Sequence, residues 1–224
     1  MVIFKGLSSV KRTVSRILLE AERSRSRRFI RTLELARLFL DNRPPDAFPP
    51  DYLDLAFLYK LIRARKPKTV LEFGCGCSTV VIAVALQHNA ENYKSVAKLW
   101  SFDADEHWAA VCRESIPPEL RNFCEVEYTP LEVVEYQGQQ VFSYLTQSNF
   151  EKGIDFVYLD GPALTESCRA SVDPVRLEPF FNTKCTIVVD GRSENVGLLK
   201  RGLKHKYQVQ DRYRYFNSVF TRNG

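Results

Sequence analysis

The sequence predicts an α/β fold: a seven-stranded, mostly parallel sheet with helices on both faces, an antiparallel C-terminal hairpin, and a helical N-terminal extension. Three observations carry this. Beyond Lys68, short apolar runs at 69–73, 99–102, 124–128, 154–159 and 186–189 alternate with segments of helix length, the texture of parallel strands joined by crossover helices. Near the carboxyl end, 207–211 and 215–220 lie too close together for a crossover and must pair antiparallel through a tight turn. A chain of 224 residues, 45% hydrophobic, holds one enzyme-sized domain with a minor appendage, not two independent domains.

The elements follow in order. From Ile3 to Ala21, Ile3, Phe4, Leu7, Val10, Val14, Ile17, Leu18 and Ala21 recur at three- and four-residue steps, with Lys11, Arg12, Ser15 and Arg16 on the opposite side, which is helical periodicity. The basic run 23–28 interrupts this pattern. Phe29, Leu33, Ala36, Leu38 and Leu40 resume it until Asp41, Asn42, Pro44 and Pro45, so two helices or one long bent helix are expected over 1–48. Pro49, Pro50 and Asp51 open a further helix that runs to about Arg65 and closes at Lys66 and Pro67. Residues 49–224 then form the main domain, with crossover helices expected at 79–88, 106–115, 169–181 and 194–203.

Composition removes several classes. Fifteen Phe, 10 Tyr and only 10 Gly and 11 Pro exclude disordered, collagen-like and low-complexity chains. The longest apolar stretch, 79–86, is far too short to span a bilayer, and no signal-like apolar run opens the chain. Six Cys (75, 77, 112, 124, 168, 185) lie mostly inside apolar runs and read as reduced thiols of a cytoplasmic protein. Residues 1–66 carry 15 Lys or Arg against 7 Asp or Glu, whereas the remainder carries 17 against 20, so any anionic partner belongs at the N-terminus and no nucleic-acid partner is expected.

The informative string is VLEFGCGCST at 70–79, an apolar strand entering a glycine-containing loop and then an apolar helix. In an open α/β sheet ligands bind beyond the carboxyl ends of the strands, and Gly74 and Gly76 let the backbone approach a cofactor closely. A dinucleotide site wants a third glycine where Thr79 stands, and Glu72 suits a cationic amine better than a pyrophosphate.

This string resembles motif I of the class I S-adenosylmethionine-dependent methyltransferases, in their small-molecule O-methyltransferase-like branch, and the similarity extends over about 51–220. The resemblance implies a Rossmann-like domain with S-adenosylmethionine as methyl donor. Glu72, Gly74, Gly76, Ser78 and Thr79 would surround the methionine moiety, Asp103 in WSFDAD at 100–105 would accept the ribose hydroxyls, and Leu131 in YTPL at 128–131 would border the adenine. Asp105 reads as the cap of the following helix. IDFVYLDGP at 154–162 resembles motif IV, which makes Asp160 the candidate catalytic residue, as general base, orienting group or ion ligand. Catechol-type relatives hold Mg²⁺ with further acid or amide ligands after the fifth strand. Here VDGR at 189–192 offers Asp190, then Gly191 without a side chain and the cation Arg192, so no metal is expected and Asp190 should pair with Arg192, Arg169 or a substrate group.

The implied activity is O-methylation of a small polar metabolite or saccharide. A nicotinamide-dependent oxidoreductase and a non-catalytic cofactor-binding protein that works through its basic helices are the alternatives. The apolar stripe of the first helix needs a cover: the cofactor cleft as a lid, a second copy, or an anionic membrane surface. The protein's own body or a dimer partner is the expected choice.

Overall fold

The structure, a computed structural model, describes residues 3–145, 153–212 and 217–223, with side chains from residue 15 onward. In chain order the elements are α1 (Ile3–Thr32), α2 (Glu34–Asp41), α3 (Tyr52–Arg65), β1 (Thr69–Phe73), α4 (Cys77–Tyr93), β2 (Lys98–Asp103), α5 (Glu106–Ser115), β3 (Cys124–Tyr128), β4 (Leu131–Tyr136), β5 (Gln139–Tyr144), β6 (Ile154–Leu159), α6 (Asp173–Arg176), β7 (Phe181–Asp190), α7 (Ser193–Gly202), β8 (Tyr207–Arg212) and β9 (Asn217–Arg222). Short 3₁₀ turns lie at Pro118–Leu120 and Glu178–Phe180.

The main sheet runs β3-β2-β1-β6-β7-β9-β8. The pairs β3/β2, β2/β1, β1/β6 and β6/β7 are parallel, while β9 joins β7 antiparallel and pairs antiparallel with β8. The turn between β8 and β9, 213–216, lies outside the described residues. From β1 the chain winds outward first through β2 and β3, then returns to the other side through β6 and β7. The strand order therefore reverses between β1 and β6, the place where an open α/β sheet leaves a crevice at its carboxyl edge.

Two apolar layers cover the sheet. One packs α3, α4 and α5 against it through Leu58, Ile62, Ile82, Leu86, Leu99 and Phe156; Ile30, Ala36, Phe39 and Leu40 of α1 and α2 join this same core. The other gathers Phe73, Phe102, Val157, Ile187, Leu198 and Phe220 beneath β5 and α7. The central strands are apolar on both faces, which is why they read as continuous runs rather than alternations.

Helix boundaries have local causes. Asp51 accepts from Leu53 N at 2.8 Å to cap α3, which ends at Lys66 in the left-handed conformation just before Pro67. Asp105 caps α5 through Trp108 N at 3.0 Å. The basic run 23–28 does not break α1, since Arg is a good helix former; the break falls at Leu33, whose backbone is extended.

One expectation needs correction, and two further features stand beside it. The helix expected at 169–181 shrinks to the four residues of α6 and a 3₁₀ turn, because Pro179 removes an amide donor and stops the helix. The segment after the third strand is a hairpin, β4–β5, whose turn at Gln137 (φ 52°) and Gly138 (φ 77°) has the positive dihedrals that favour glycine. The stripe of α1 does not fold onto the body where its side chains are described: Ile17 is 60% and Leu18 52% exposed. Its earlier members, 3–14, fall among side chains outside the description. Among the described residues no helix is long and apolar enough to cross a membrane.

Candidate functional site

The ends of β1 and β6 meet at two glycines. Gly161 N and Asp160 N both donate to Phe73 O. A Cβ on Gly74 (φ 96°) would sit 2.7 Å from Gly161 N, and one on Gly161 would sit 2.6 Å from Gly74 N. Both positions therefore require glycine, and Gly74 serves this strand-to-strand approach in addition to any ligand. Nothing lies within 4 Å of a Cβ built on Gly76, so the loop is open above that residue.

Beneath the loop, Glu72 is fully buried. Its Oε2 accepts from Thr79 Oγ1 at 2.5 Å and Ser101 Oγ at 2.6 Å, while Oε1 has no partner among the described residues. Burial raises this carboxyl to about 7, against the pull of the Ser101, Thr79 and Ser78 hydroxyls. Thr79 is also fully buried and accepts from Gly76 N at 2.9 Å, so it braces the loop from below rather than lining its open side. Ser78, 8% exposed, lies at the same first turn of α4.

Asp103 ends β2 and ties two segments together. Its Oδ2 accepts from Cys75 N at 2.8 Å and its Oδ1 from Asp105 N at 2.9 Å. Half-buried, it retains lone pairs for a ligand's hydroxyls. At the end of β3, Thr129 N donates to Asp103 O at 2.8 Å, and the buried Thr129 hydroxyl has no partner among the described residues. Leu131 is half-buried at the start of β4, paired with Tyr144.

Acid side chains collect beyond β6 and β7. Asp160 is open to solvent on one side yet crowded by protein on the others; this desolvation raises its carboxyl, with Arg192 opposing and Asp103 reinforcing the shift. Asp190 accepts from Tyr158 Oη at 3.2 Å, and burial followed by the Asp160 charge lifts it to about 7. Asp54, one turn into α3, accepts from Asn217 Nδ2 at 2.8 Å; burial, then Asp190 and Asp51, lift it to about 8. The pairings expected for Asp190 are corrected here: Arg169 binds Glu194 at 2.9 Å, and Arg192 donates to the carbonyls of Pro162 (2.7 Å) and Asp160. Arg192 thereby latches the loop that carries Asp160.

Asp54, Tyr158, Asn217 and Tyr144 were not singled out from sequence. Tyr144 came with the unexpected hairpin; its ring packs 5.1 Å from that of Phe73, and its buried hydroxyl sits against Gly161. Asp54 carried a usable signal, falling one turn after the helix cap Asp51. Among the described residues, no three His, Cys, Asp or Glu side chains converge as a metal site.

α1 and the start of α3 bound a cleft of about 470 Å³ lined by Glu20, Arg23, Ser24, Arg27, Pro50, Asp51 and Tyr52. Arg27 lies over the Tyr52 ring at 5.6 Å, and Arg23 pairs with Glu20 at 3.0 Å. Asp51 faces both this cleft and, through its charge, Asp54 and Asp190.

Several buried polar atoms at this edge of the sheet have no partner among the described residues: Glu72 Oε1, Thr129 Oγ1, Tyr144 Oη and Arg192 Nε. Buried polar groups are ordinarily satisfied. A ligand with both donors and acceptors at this edge would satisfy them.

The family model described as "Methyltransferase domain" matches residues 71–191, more than half of the chain. Among solved structures, the SAH-bound Podospora anserina methyltransferase PaMTH1 is 15% identical with a TM-score of 0.54, over 90% of this chain and 94% of that one. A methyltransferase from Geobacter sulfurreducens is 15% identical with a TM-score of 0.53, over 83% and 95%. The O-methyltransferase NovP is 14% identical with a TM-score of 0.51, over 94% and 100%. At these identities the likeness is one of fold. No curated protein matches the chain in sequence.

Proposed function

The chain belongs to the methyltransferase-domain family, and from that premise we propose that it is an S-adenosylmethionine-dependent O-methyltransferase acting on a small polar metabolite or saccharide. The observation that carries the choice of oxygen is the acid pair at the ends of adjacent strands, Asp160 after β6 and Asp190 ending β7, each carboxyl raised by burial, Asp190 to about 7. A carboxyl beyond the end of β6, raised above its ordinary range by crowding, suits a general base that must take one proton from a hydroxyl.

In this reading Asp103 accepts the ribose hydroxyls of the cofactor while it holds Cys75 N, and the Gly74–Ser78 loop with Glu72 receives the amino-acid end. Thr129 and Leu131 border the adenine. Bound S-adenosylmethionine supplies an electrophilic methyl on a sulfonium. The protein's part is to align the acceptor oxygen in line with that methyl and to keep water out. Asp160 would take the proton that the acceptor hydroxyl loses when its oxygen receives the methyl. Arg192 keeps the Asp160 loop in place through its two carbonyl contacts, and Asp190, held by Tyr158, tunes the Asp160 charge.

The acceptor enters through the cleft between α1 and α3, so residues 1–48 act as an acceptor-side extension. Asp51 and Ser24 suit hydroxyls, the Tyr52 ring suits a sugar or aromatic face, and Arg23 and Arg27 suit an anionic substituent. The test is methyl transfer to a panel of neutral and acidic saccharides and polar metabolites, read as S-adenosylhomocysteine formed. Turnover that favours acidic, hydroxylated acceptors supports the reading. Turnover with amines alone would overturn the choice of oxygen.

A further inference from the structure

α1 meets the body along one face. Leu19, Glu22, Ser26 and Phe29 are half-buried and Ile30 is fully buried, at the three- and four-residue steps of a single helical stripe. Phe29 and Ile30 carry that stripe into the core shared with α2 and α3. A second stripe, Ile17, Leu18, Ala21, Arg25 and Arg28, recurs at the same steps about a third of a turn away, and each of its members is exposed. From Ser15 to Leu18 all four side chains are exposed, so this stretch of α1 stands clear of the body. Ile17, Leu18 and Ala21 therefore do not hold the helix to the protein.

Exposed apolar bulk and positive charge gather in the same segment. Among the described residues, four of the ten large apolar side chains that reach solvent, Ile17, Leu18, Leu38 and Phe48, fall within 15–48, and Phe48 is 89% exposed. Residues 1–31 hold nine Lys or Arg against Glu20 and Glu22, and 1–16 hold no acid. Three covers compete for such a surface once the protein's own body is excluded by the exposure of the stripe. A second copy would set one surplus of positive charge against another, which repels. A nucleic acid answers the cations and offers the apolar side chains nothing. An anionic bilayer answers both, with apolar side chains in the acyl boundary and guanidinium groups among the headgroups. Among the described residues no helix is long and apolar enough to cross a membrane, so the contact is along the surface.

We propose that α1 docks the protein on an anionic lipid surface, with Ile17, Leu18 and Ala21 entering the acyl boundary and Arg25 and Arg28 lying among the headgroup phosphates. The proposal is independent of the acceptor reading, since it needs neither cofactor nor turnover.

The test is vesicle flotation of the full chain, without cofactor or acceptor, on phosphatidylcholine vesicles and on mixed phosphatidylcholine–phosphatidylglycerol vesicles. Wild type, Ile17→Ser with Leu18→Ser, and Arg25→Glu with Arg28→Glu are compared, each checked by thermal melting. Wild type should bind the phosphatidylglycerol vesicles at least about tenfold more tightly than the neutral ones, and high salt should weaken that preference. The Ser pair should lose about tenfold or more of this binding through apolar burial, and the Glu pair about tenfold or more through charge, with wild-type melting in both. Absence of flotation by the wild type with anionic vesicles overturns the proposal. So does a Ser pair that floats as the wild type does, which leaves only a general attraction between cations and phosphates. A light-scattering mass that is dimeric in the wild type and monomeric in the Ser pair would assign the stripe to a second copy instead. Should one pair fail to fold, the other decides, and undiminished flotation by it overturns the proposal.

Discussion

Replacing Asp103 by Ala removes one side chain that performs two tasks, and the structure lets each be sized. Its two oxygens accept from Cys75 N and Asp105 N, at 2.8 and 2.9 Å. A hydrogen bond to a charged group contributes about 1.5–3 kcal/mol. Asp103 is half-buried, so water replaces part of each, and about 3 kcal/mol is expected for the two together. For a chain of this size that lowers the melting temperature of the free protein by roughly 6–12 °C. Independently, loss of the acceptor for the ribose hydroxyls should weaken S-adenosylhomocysteine binding by roughly 10–150-fold. Differential scanning calorimetry and isothermal titration measure the two effects separately. An unchanged melting temperature would refute the clamp between β2 and the glycine loop. A destabilised variant with unaltered affinity would remove Asp103 from the ribose site.

Four further outcomes are expected. Asp54 and Asp190 have folded-state values raised to about 8 and about 7, so the stability they contribute is fully present below the ordinary carboxylate range and is lost as pH rises through those values. Melting temperature should fall from pH 5 to 8, and Asp54→Asn should flatten the decline by up to about 1.4 kcal/mol per pH unit; an identical slope in the variant would contradict the assignment. Gly74→Ala should abolish ordered folding or cofactor binding, because its Cβ would lie 2.7 Å from Gly161 N, and a variant with wild-type melting and affinity would show that the two loops do not touch. Methyl transfer should survive EDTA, since Gly191 supplies no side-chain ligand after Asp190; loss with EDTA and rescue by Mg²⁺ would show otherwise. Ile17→Ser with Leu18→Ser should leave melting and the mass in light scattering unchanged, as both side chains are exposed; a lowered mass would assign the stripe to a second copy.

Much of the architecture was legible in the sequence because its parallel strands are buried on both faces and write themselves as continuous apolar runs between helix-length spacers. The cap at Asp105 and the stop at Lys66 and Pro67 were legible for local reasons, since they depend on neighbours within a few residues. The β4–β5 hairpin was missed although Gly138 marks its turn, because its strands carry mixed, half-exposed faces and sit between two strongly apolar runs. The helix expected at 169–181 failed on Pro179, a local signal overridden by the expectation of a regular crossover.

The candidate site divides in the same way. The residues at strand ends, Glu72, Asp103 and Asp160, were legible because an acid that closes an apolar run is conspicuous. Which partner each acid takes was not, because Asp54, Tyr158 and Asn217 reach the same edge from elements distant in sequence. Thr79 looked like a member of the loop's open side, and only tertiary packing shows its hydroxyl committed to Glu72 and Gly76.

The central claim, transfer of a methyl to an acceptor oxygen with Asp160 as base, is tested most directly by following S-adenosylmethionine conversion across the acceptor panel by mass spectrometry. Wild type and Asp160→Asn are compared at a pH above 7. The account predicts S-adenosylhomocysteine and an O-methylated product in equal amounts with the wild type, and a loss of about 100-fold or more in Asp160→Asn with cofactor affinity retained. Equal turnover by the two proteins, or an S-methyl product or an N-methyl product alone, would contradict it.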